Sequence, residues 1–280
     1  MKLCVKIGGA QLEEPMPRAV LAAAIQRARA AGHEIVVVHG GGNQIRTLCK
    51  RLGIADRYHE GLRITDAATA EVAVAVLAGL VGKALAESLS DAGAPAVSLC
   101  GADGGLFTAR RHVHEAVDLG YVGQVERVDP ALVDALLAKG FVPLIATVAP
   151  LEGAAAGARD RLYNINADHA AAPLARALGC DALLFLTDVP GVLDAEKRLI
   201  ARLDPDDCAA LARAGVLYGG MIPKVDAALA AVRTLPDGLV KIAPAAGADA
   251  VLDALRDGVG TRFLNDAAND GRPASDRAHG

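Results

Sequence analysis

The sequence predicts an α/β fold in which helices pack on a parallel β-sheet. Residues 34–43 form an apolar, β-branched run that ends in three glycines, and helical spacing resumes directly afterwards. Hydrophobic residues make up 52% of the 280 residues, whereas aromatic residues make up only 3% and Trp is absent. A core built from alanine, valine and leucine is typical of strands that are buried on both faces between helix layers.

Composition narrows the classes of function. The net charge of -4 and the lack of basic clusters argue against a nucleic-acid partner. The five cysteines are odd in number and never form a CxxC pair, which indicates buried thiols in a reducing compartment. The longest apolar stretch, Val72–Val81, is shorter than the ~18–20 residues that cross a bilayer, and Lys6 interrupts the first apolar run before a signal peptide could form. We therefore expect a soluble, cytoplasmic protein that acts on a small metabolite.

Two strands near the N-terminus end in glycine turns. The first strand carries Lys6 just before Gly8 and Gly9, and its charge is costly in a buried strand unless an anion lies close. A lysine that reaches water from an edge strand is the alternative. At Gly40–Gly42 an anion could approach the backbone and the N-terminus of the next helix, although either turn could also bind nothing. Two such turns on adjacent parallel strands would lie at one sheet edge, where α/β proteins bind ligands.

Strands and helices are predicted to alternate along the rest of the chain. Asp66 is expected to cap a long helix that reaches about Asp91, and its apolar surface on nearly all sides would suit a subunit interface. Alternating segments at 107–113 and 117–128 predict hairpins, whereas residues 58–65 are polar and irregular. The other predicted strands are 3–7, 96–100, 142–148, 182–186, 239–242 and 261–264. The other predicted helices are 17–31, 130–139, 170–178, 205–214 and 248–257, together with one that ends at Leu235. A loop at 151–161 and a disordered tail at 265–280 complete the chain.

Several polar residues allow a functional and a purely structural interpretation. Arg63 could bind a carboxylate through two hydrogen bonds, or lie solvated in a loop. Asn166 is suited to cap a helix whose first turn contains Asp168, and a capping role alone would account for that carboxylate. Lys224 lies in the first turn of a helix, where the helix dipole disfavours a cation, which indicates a nearby anion.

His112 and His114 form an HxH pair. Metal binding needs further ligands, and the neighbouring sequence offers no third one. We therefore interpret the pair as an exposed hairpin face and predict no metal site.

The motif patterns point to phosphate chemistry. GxxxxGK[ST] and GxSxG are absent, and Ile45 stands where GxGxxG requires its third glycine. Two lysines and three glycine turns remain, the third turn at Gly101–Gly105. Phosphoryl transfer depends mainly on positioning and on charge neutralisation, which ammonium groups and backbone N–H groups provide.

Six motifs occur in the order expected of the amino acid kinase family, and the chain resembles its acetylglutamate kinases in particular. The similarity spans about residues 2–264, and six ordered motifs are more specific than any single one. They are Val5–Gly9, Val38–Gly42, Gly61–Arg63, Tyr163–Asp168, Leu186–Val192 and Gly219–Val225.

The resemblance implies an open three-layer αβα sandwich around a mainly parallel sheet. Residues 1–172 would form an N-terminal lobe for the acyl-amino acid and for dimerisation, and residues 173–264 a C-terminal lobe for ATP, with Mg²⁺ carried by the nucleotide. The implied catalytic residues are Lys6 and Lys224, which stabilise the transferring phosphoryl group, and Asp168, which holds both lysines. The implied substrate-binding residues are Gly41, Gly42, Arg63 and Asn164. The implied phosphate- and ATP-binding residues are Gly8, Gly9, Thr187, Asp188, Gly191, Val216, Leu217 and Tyr218.

The implied activity is phosphorylation of the side-chain carboxylate of N-acetyl-L-glutamate, a step of arginine biosynthesis. This carboxylate is already ionised at neutral pH, so no strong base is needed, and His39 is interpreted as structural. Members that arginine inhibits carry an additional N-terminal helix that builds a hexamer. This chain starts at its first strand, so we expect a homodimer with weak or no arginine inhibition.

Two other functions stay open. One is a kinase for acetylated or carrier-linked α-aminoadipate in lysine biosynthesis, because Ala102 replaces a lysine that is frequent in the family, Ala149 replaces a common glycine, and the 151–161 loop is longer than usual. The other is a non-catalytic amino-acid sensor on the same fold, against which the presence of both Lys6 and Lys224 speaks.

Overall fold

The computed structural model of the protein describes residues 1–154 and 162–265. The strands are β1 (Lys2–Ile7), β2 (Glu34–His39), β3 (Tyr58–His59), β4 (Leu62–Arg63), β5 (Ala96–Cys100), β6 (Phe107–Arg111), β7 (Val122–Val128), β8 (Val142–Ala146), β9 (Val148–Ala149), β10 (Tyr163–Ile165), β11 (Ala182–Thr187), β12 (Arg202–Leu203), β13 (Leu239–Pro244) and β14 (Thr261–Phe263). The helices are α1 (Pro15–Ala30), α2 (Gly42–Arg51), α3 (Ala67–Val74), α4 (Gly82–Asp91), α5 (Ala131–Ala138), α6 (Ala167–Ala177), α7 (Pro205–Arg213), α8 (Met221–Thr234) and α9 (Ala250–Leu255). A π-helical segment, Ala75–Val81, joins α3 and α4 into one continuous helix.

β1 lies inside an eight-stranded sheet with the strand order β12-β14-β13-β11-β1-β2-β8-β5. Neighbouring strands are parallel except β13 and β14, which pair antiparallel. Because β2 lies on one side of β1 and β11 on the other, the strand order reverses at β1 and leaves a crevice at the carboxyl ends of these strands. A four-stranded sheet (β6-β7-β10-β9) and the β3–β4 hairpin also contribute residues to this crevice. The predicted α/β fold with a mainly parallel sheet is confirmed.

Consecutive residues of the central strands face opposite helix layers, as the alternation of side chains in a strand requires. Leu3, Val5 and Ile7 of β1 pack in one hydrophobic cluster with α1, α4 and α9. Cys4, between them, packs in a second cluster with α6 and α8. The sheet is therefore covered on both faces, which explains why its strands appear in the sequence as continuous apolar runs.

Most of the predicted elements are confirmed, with ends that differ by a few residues. The side chain of Asp66 caps α3 by accepting a hydrogen bond from Thr69 N at 2.9 Å, and Asn166 caps α6. The hairpin predicted from the 107–128 region is the antiparallel pair β6–β7. All five cysteines are buried free thiols, and burial raises the pKa of the Cys100 thiol to about 11, so it stays protonated at neutral pH.

Other expectations were wrong or fall outside the described residues. The region 58–65 is not irregular, because β3 and β4 pair around a two-residue turn. The single strand predicted at 142–148 divides at Thr147 into β8 and β9, which belong to different sheets. The short strands β10 and β12 were not predicted. Residues 155–161 of the predicted loop and 266–280 of the predicted tail lie outside the described residues.

The continuous helix Ala67–Asp91 is long and apolar enough, by length and composition alone, to cross a membrane. Such a helix is weak evidence for a membrane protein, because core helices of soluble proteins meet the same criterion. In this protein, 44% of the most apolar 18-residue window of the helix is buried inside the chain. In addition, α4 packs in the same hydrophobic cluster as α1 and β1. The helix belongs to the helix layer on one face of the central sheet, together with α1 and α9.

The stability of the fold should decrease in acid because of His39. Burial at the end of β2 lowers the pKa of this side chain from 6.5 to about 4. Between these two values the unfolded chain binds a proton that the folded chain does not, so the free energy of unfolding falls as the pH drops from about 6.5 to about 4, by up to roughly 3 kcal/mol. Above this window the stabilisation is complete.

Urea denaturation of wild type and His39→Asn at pH values across this window checks the expectation. The wild-type chain should lose more of its stability on acidification than the variant does. His169→Asn, at an exposed position, is the control. Its free energy of unfolding should change with pH as that of the wild-type chain does. An equal pH dependence of the free energy of unfolding in wild type and His39→Asn would contradict the prediction.

Candidate active site

A cleft of about 390 Å³ opens at the carboxyl ends of the central strands. Its wall receives Lys6 and Gly8 from the end of β1, Gly40–Gly42 from the end of β2, and Thr187 and Asp188 from the end of β11. Arg63, Asn164, Asp168 and Lys224 also belong to its polar lining. This is the crevice that the reversal of strand order creates.

The ion pair between Lys6 and Asp168 lies at the base of the cleft. Lys6 is 6% exposed, pairs in register with Val38 of β2 and Phe185 of β11, and places its Nζ 2.5 Å from Asp168 Oδ1. The contact is mainly electrostatic, since Oδ1 finds no partner with hydrogen-bonding angles among the described residues. The buried charge predicted to need an anion therefore has one within the protein itself.

Helix α6 brings Asp168 to this position. Asn166 accepts a hydrogen bond from Asp168 N at 2.8 Å and starts the helix. Asp168 thus lies in the first turn, where the helix dipole stabilises a negative charge. The helix cap and the ion pair coexist at Asp168. Of the two contacts predicted for this carboxylate, the one with Lys6 is present, whereas the described ion pairs include none with Lys224.

The glycine turn after β2 packs closely against the π-helical segment. A Cβ on Gly41 would lie 2.8 Å from Leu77 Cδ2 and 3.1 Å from Val81 Cγ2, so no larger residue fits without a shift. Gly42 opens helix α2, which has no side-chain cap. The first N–H groups of that helix have no intrahelical acceptor, and together with the dipole they favour an anion at this end of the cleft.

Arg63 is neither solvated nor unpartnered. It is 7% exposed, its Nη1 forms an ion pair with Asp56 Oδ1, and its Nη2 donates to Gly42 O at 2.8 Å. Its guanidinium lies 4.7 Å from the centroid of the Tyr58 ring, and burial lowers its pKa. The side chain joins the β3–β4 hairpin to the glycine turn and still lines the cleft.

Lys224 reaches the same cleft from the first turn of α8. Its Nζ donates to Gly220 O at 3.4 Å, a long contact that leaves the ammonium free for other acceptors. Within the part of the chain that the structure describes, the ion pair of Asp168 is with Lys6, and Lys224 has no carboxylate partner. Two lysines from opposite ends of the chain therefore face one cleft, and among the described residues only Lys6 has a carboxylate partner.

The residues predicted for the nucleotide divide into two groups. Gly8, Thr187 and Asp188 line the cleft, and Thr187 Oγ1 donates to Asp188 Oδ1 at 3.0 Å. The second group lies outside the described lining and consists of Gly191, Val216, Leu217 and Tyr218. The role of Gly9 stays a prediction. Gly191 packs against Thr261 of β14, where a Cβ would meet Oγ1 at 2.8 Å. Tyr218 is 78% exposed on the loop before α8.

Thr147 and Asp56 are site residues that the sequence analysis missed. Thr147 lines the cleft at the break between β8 and β9, is 1% exposed, and its Oγ1 has no hydrogen-bond partner among the described residues. A small polar residue directly after a buried strand was the available signal. Asp56 partners both Arg63 and Arg46, and nothing in its local sequence distinguishes it.

A parallel α/β sheet with a basic, glycine-lined cleft at its carboxyl edge defines the class of α/β proteins that bind small anionic ligands at a reversal of strand order. Within that class the chain belongs to the amino acid kinase family, whose model matches residues 1–236.

Similar proteins agree with this assignment. A protein named acetylglutamate kinase from Granulibacter bethesdensis is 44% identical over 238 residues, which cover 81% of this chain and 78% of that protein. Another of the same name, from Koribacter versatilis, is 41% identical over 251 residues, covering 90% and 93%.

Solved structures share the fold. Giardia carbamate kinase superposes with a TM-score of 0.69 at 16% identity, over 95% of this chain and 99% of that one. N-acetylglutamate synthase from Neisseria gonorrhoeae superposes with a TM-score of 0.77 at 24% identity, over 94% of this chain and 59% of that one.

Breaking the Lys6–Asp168 pair should destabilise the protein strongly. Asp168→Asn leaves the buried ammonium without a counter-charge, for which we expect a loss of about 3–5 kcal/mol in urea denaturation. The double variant Lys6→Met/Asp168→Asn should recover most of that loss, because it buries no charge at this position.

The exposed pair Arg110–Glu126, whose side chains are 60% and 42% exposed, serves as the control. Glu126→Gln should cost less than about 1 kcal/mol. If Asp168→Asn proved no more harmful than Glu126→Gln, the buried pair would not be a determinant of stability.

Adjacent glycines of the turn should respond differently to alanine. Gly41→Ala forces the 2%-exposed Leu77 to move, with an expected loss of about 1–3 kcal/mol. Gly42→Ala has no atom within 4 Å of the new methyl group and adds a better helix former, so its stability should be unchanged or up to about 1 kcal/mol higher. Thermal denaturation distinguishes the two variants, and equal destabilisation would contradict the close packing described here.

Proposed function

We propose that this protein transfers the γ-phosphoryl group of ATP to the side-chain carboxylate of N-acetyl-L-glutamate, a step of arginine biosynthesis. The name acetylglutamate kinase, which relatives at 40–44% identity carry, supports the substrate. The observation that carries the proposal is that Lys6, Lys224 and the glycine turn line one cleft. Their convergence supplies both of the requirements of phosphoryl transfer, which are positioning and neutralisation of charge.

The chemistry can proceed without a strong base. The attacking carboxylate is ionised at neutral pH. Its two oxygens and those of the γ-phosphate repel one another unless cations lie between them, and Lys6 and Lys224 are placed to supply that charge. Asp168 holds the Lys6 ammonium at the end of β1, so this cation is positioned before substrates bind. His39, which is buried and has a pKa of about 4, is neutral and serves the structure only.

The two halves of the central sheet suggest how the substrates are arranged. β1, β2, β8 and β5 belong to residues 1–172, and β11, β13, β14 and β12 to residues 173–264. We assign the acyl-amino acid to the first half, with Gly41, Gly42, Arg63 and Asn164, and the nucleotide to the second. The proposed boundary at residue 172 lies inside α6, so the lobes would be halves of one continuous sheet.

Mg²⁺ is implied by the kinase reaction, and the residues present fit an ion that enters with the nucleotide. Mg²⁺ keeps several waters and is usually bound by substrate phosphates and one or two carboxylates. Two of the described lining residues are carboxylates, Asp168 and Asp188. Asp168 forms the ion pair with Lys6, whereas Asp188 is exposed. Asp188 is therefore the residue that would hold the ion, which would supply further neutralisation of phosphate charge.

We also propose that the protein is a homodimer and that it is located in the cytoplasm. The π-helical segment Ala75–Val81 exposes apolar residues, namely Ala75 and Leu80, and Leu80 is 62% exposed. Covering such a surface with a second copy would bury apolar area that a monomer leaves in water. Sedimentation analysis at micromolar concentration measures the mass of the assembly and so distinguishes a dimer from a monomer.

The proposed reaction can be tested by trapping the acyl phosphate as a hydroxamate. Wild type should form hydroxamate from N-acetyl-L-glutamate and ATP, and Lys6→Ala and Lys224→Ala should each lower kcat by roughly 100-fold or more, as the loss of a transition-state donor does. Lys83→Ala, which removes an exposed lysine of α4, is the matched control and should keep full activity. Thermal denaturation of each variant separates a loss of chemistry from a loss of fold.

The same assay with N-acetyl-L-α-aminoadipate distinguishes the two carboxylate substrates, because one methylene changes kcat/KM by about 10–200-fold. A higher kcat/KM for the longer substrate would overturn the assignment to acetylglutamate. Binding of an acyl-amino acid without any hydroxamate would instead favour a sensor.

A further inference from the structure

Two histidines and a glutamate that are distant in sequence meet on the surface beside the cleft. His59 and Glu60 belong to the β3–β4 hairpin, and His114 belongs to the connection between β6 and β7. Each side chain offers one ligand atom, and the three atoms all lie within 4.8 Å of one another. We call these three residues the histidine cluster. None of them is among the described residues that line the cleft.

The distance between two of the ligand atoms matches a tetrahedral metal centre, and the third atom lies within reach of both. His114 Nε2 lies 3.2 Å from Glu60 Oε2, close to the roughly 3.3 Å that separates two ligand atoms when both are bound to zinc at about 2.0 Å. The two imidazole rings meet edge to face, with centroids 4.5 Å apart. His59 Nε2 is buried and has no hydrogen-bond partner among the described residues, so a polar atom is left without a partner at this position.

The turn of the hairpin fixes two of the ligands. His59 pairs with Leu62 across the hairpin, which leaves Glu60 and Gly61 as a two-residue turn. Both have positive φ, 46° for Glu60 and 79° for Gly61, as a type I′ turn requires. Glycine or asparagine is usual at the first turn position, so Glu60 accepts an unfavourable backbone conformation that places its carboxylate beside His59.

We propose that His59, Glu60 and His114 bind a divalent transition-metal ion of the zinc type, with a water molecule at the fourth position. Two imidazoles and one carboxylate favour Zn²⁺, Co²⁺, Ni²⁺ or Cu²⁺ over Mg²⁺ and Ca²⁺, which prefer oxygen ligands. Binding through His114 Nε2 moves the ring proton to Nδ1, so the 3.2 Å hydrogen bond that Nδ1 accepts from Ala116 N must open. The exposed segment around Ala116, outside the named strands, allows that adjustment.

Metal at this position would tie the hairpin to the β6–β7 connection. The same hairpin carries Tyr58 and Arg63, which line the cleft, and Arg63 also holds the glycine turn through Gly42 O. An ion bound to the outer side of the hairpin would therefore restrain one wall of the cleft. The site itself depends only on the geometry of the cluster and not on the reaction proposed for the cleft.

Calorimetric titration of the metal-free full chain with ZnCl₂, without nucleotide or amino acid, tests the site. Wild type should bind one equivalent, and His59→Ala and His114→Ala should each weaken binding by at least about tenfold, since even the loss of a supporting group around a metal costs that much. The same titration with CoCl₂ gives a second measurement, because the visible spectrum of bound Co²⁺ reports tetrahedral coordination.

His112→Ala is the matched control, because His112 is also half-buried and lies two positions from His114 in the same connection. It should bind Zn²⁺ as wild type does. The proposal is overturned if wild type binds no stoichiometric metal, if His112→Ala weakens binding as much as His114→Ala does, or if His59→Ala binds normally. In each of those cases the contact between His114 and Glu60 is an ordinary hydrogen bond. None of these outcomes bears on hydroxamate formation, so the two proposals fail separately.

Discussion

The ion pair between Lys6 and Asp168 is the constraint on which the site depends. Lys6 lies in the middle of a parallel sheet at the base of the cleft, and at 6% exposure its ammonium needs a counter-charge. The fold supplies one from the N-terminal turn of α6, where the helix dipole already favours a carboxylate. Each charge thus stabilises the other, and the pair fixes α6 over the carboxyl end of β1. The rest of the cleft is built around this fixed point.

The position of β1 in the sheet explains why residues from the whole chain meet there. β2 lies on one side of β1 and β11 lies on the other. Loops from both halves of the sheet therefore open toward the same crevice. Gly41 then allows the π-helical segment to approach the turn after β2, which closes the wall of the cleft. Lys224 enters from α8 without a carboxylate partner among the described residues, so its ammonium is available to an anionic ligand in the cleft.

The β3–β4 hairpin connects two regions with different chemistry. Its Tyr58 and Arg63 line the cleft and contact the glycine turn, whereas His59 and Glu60 form the histidine cluster with His114. Adjacent residues of the hairpin thus serve separate sites. The turn that joins β3 to β4 is only two residues long. A restraint on His59 and Glu60 is therefore transmitted through the backbone to Tyr58 and Arg63.

The sequence by itself determined the features that depend on local interactions. The apolar runs predicted the central strands, Asp66 and Asn166 were identified as helix caps, and the glycines that end β1 and β2 marked the edge of the sheet that carries the cleft. Each of these follows from residues within one or two turns of one another, so the pattern is visible without a fold. The six ordered motifs likewise identified the family, because their order is a property of the sequence itself.

Only the tertiary structure decided which distant residues became partners. Lys6 needed an anion, and only the resemblance to the family, not the local sequence, implied that Asp168 would provide it. Nothing in the sequence indicated that Arg63 would pair with Asp56. The strands β3, β4, β10 and β12 are two or three residues long, too short for a periodic pattern, and they exist because a neighbouring strand supplies their hydrogen bonds. His114 showed no third ligand in its own segment because His59 and Glu60 reach it only when the hairpin folds against the β6–β7 connection. Contacts between distant segments depend on the packing of the whole chain, and for that reason the local sequence does not contain them.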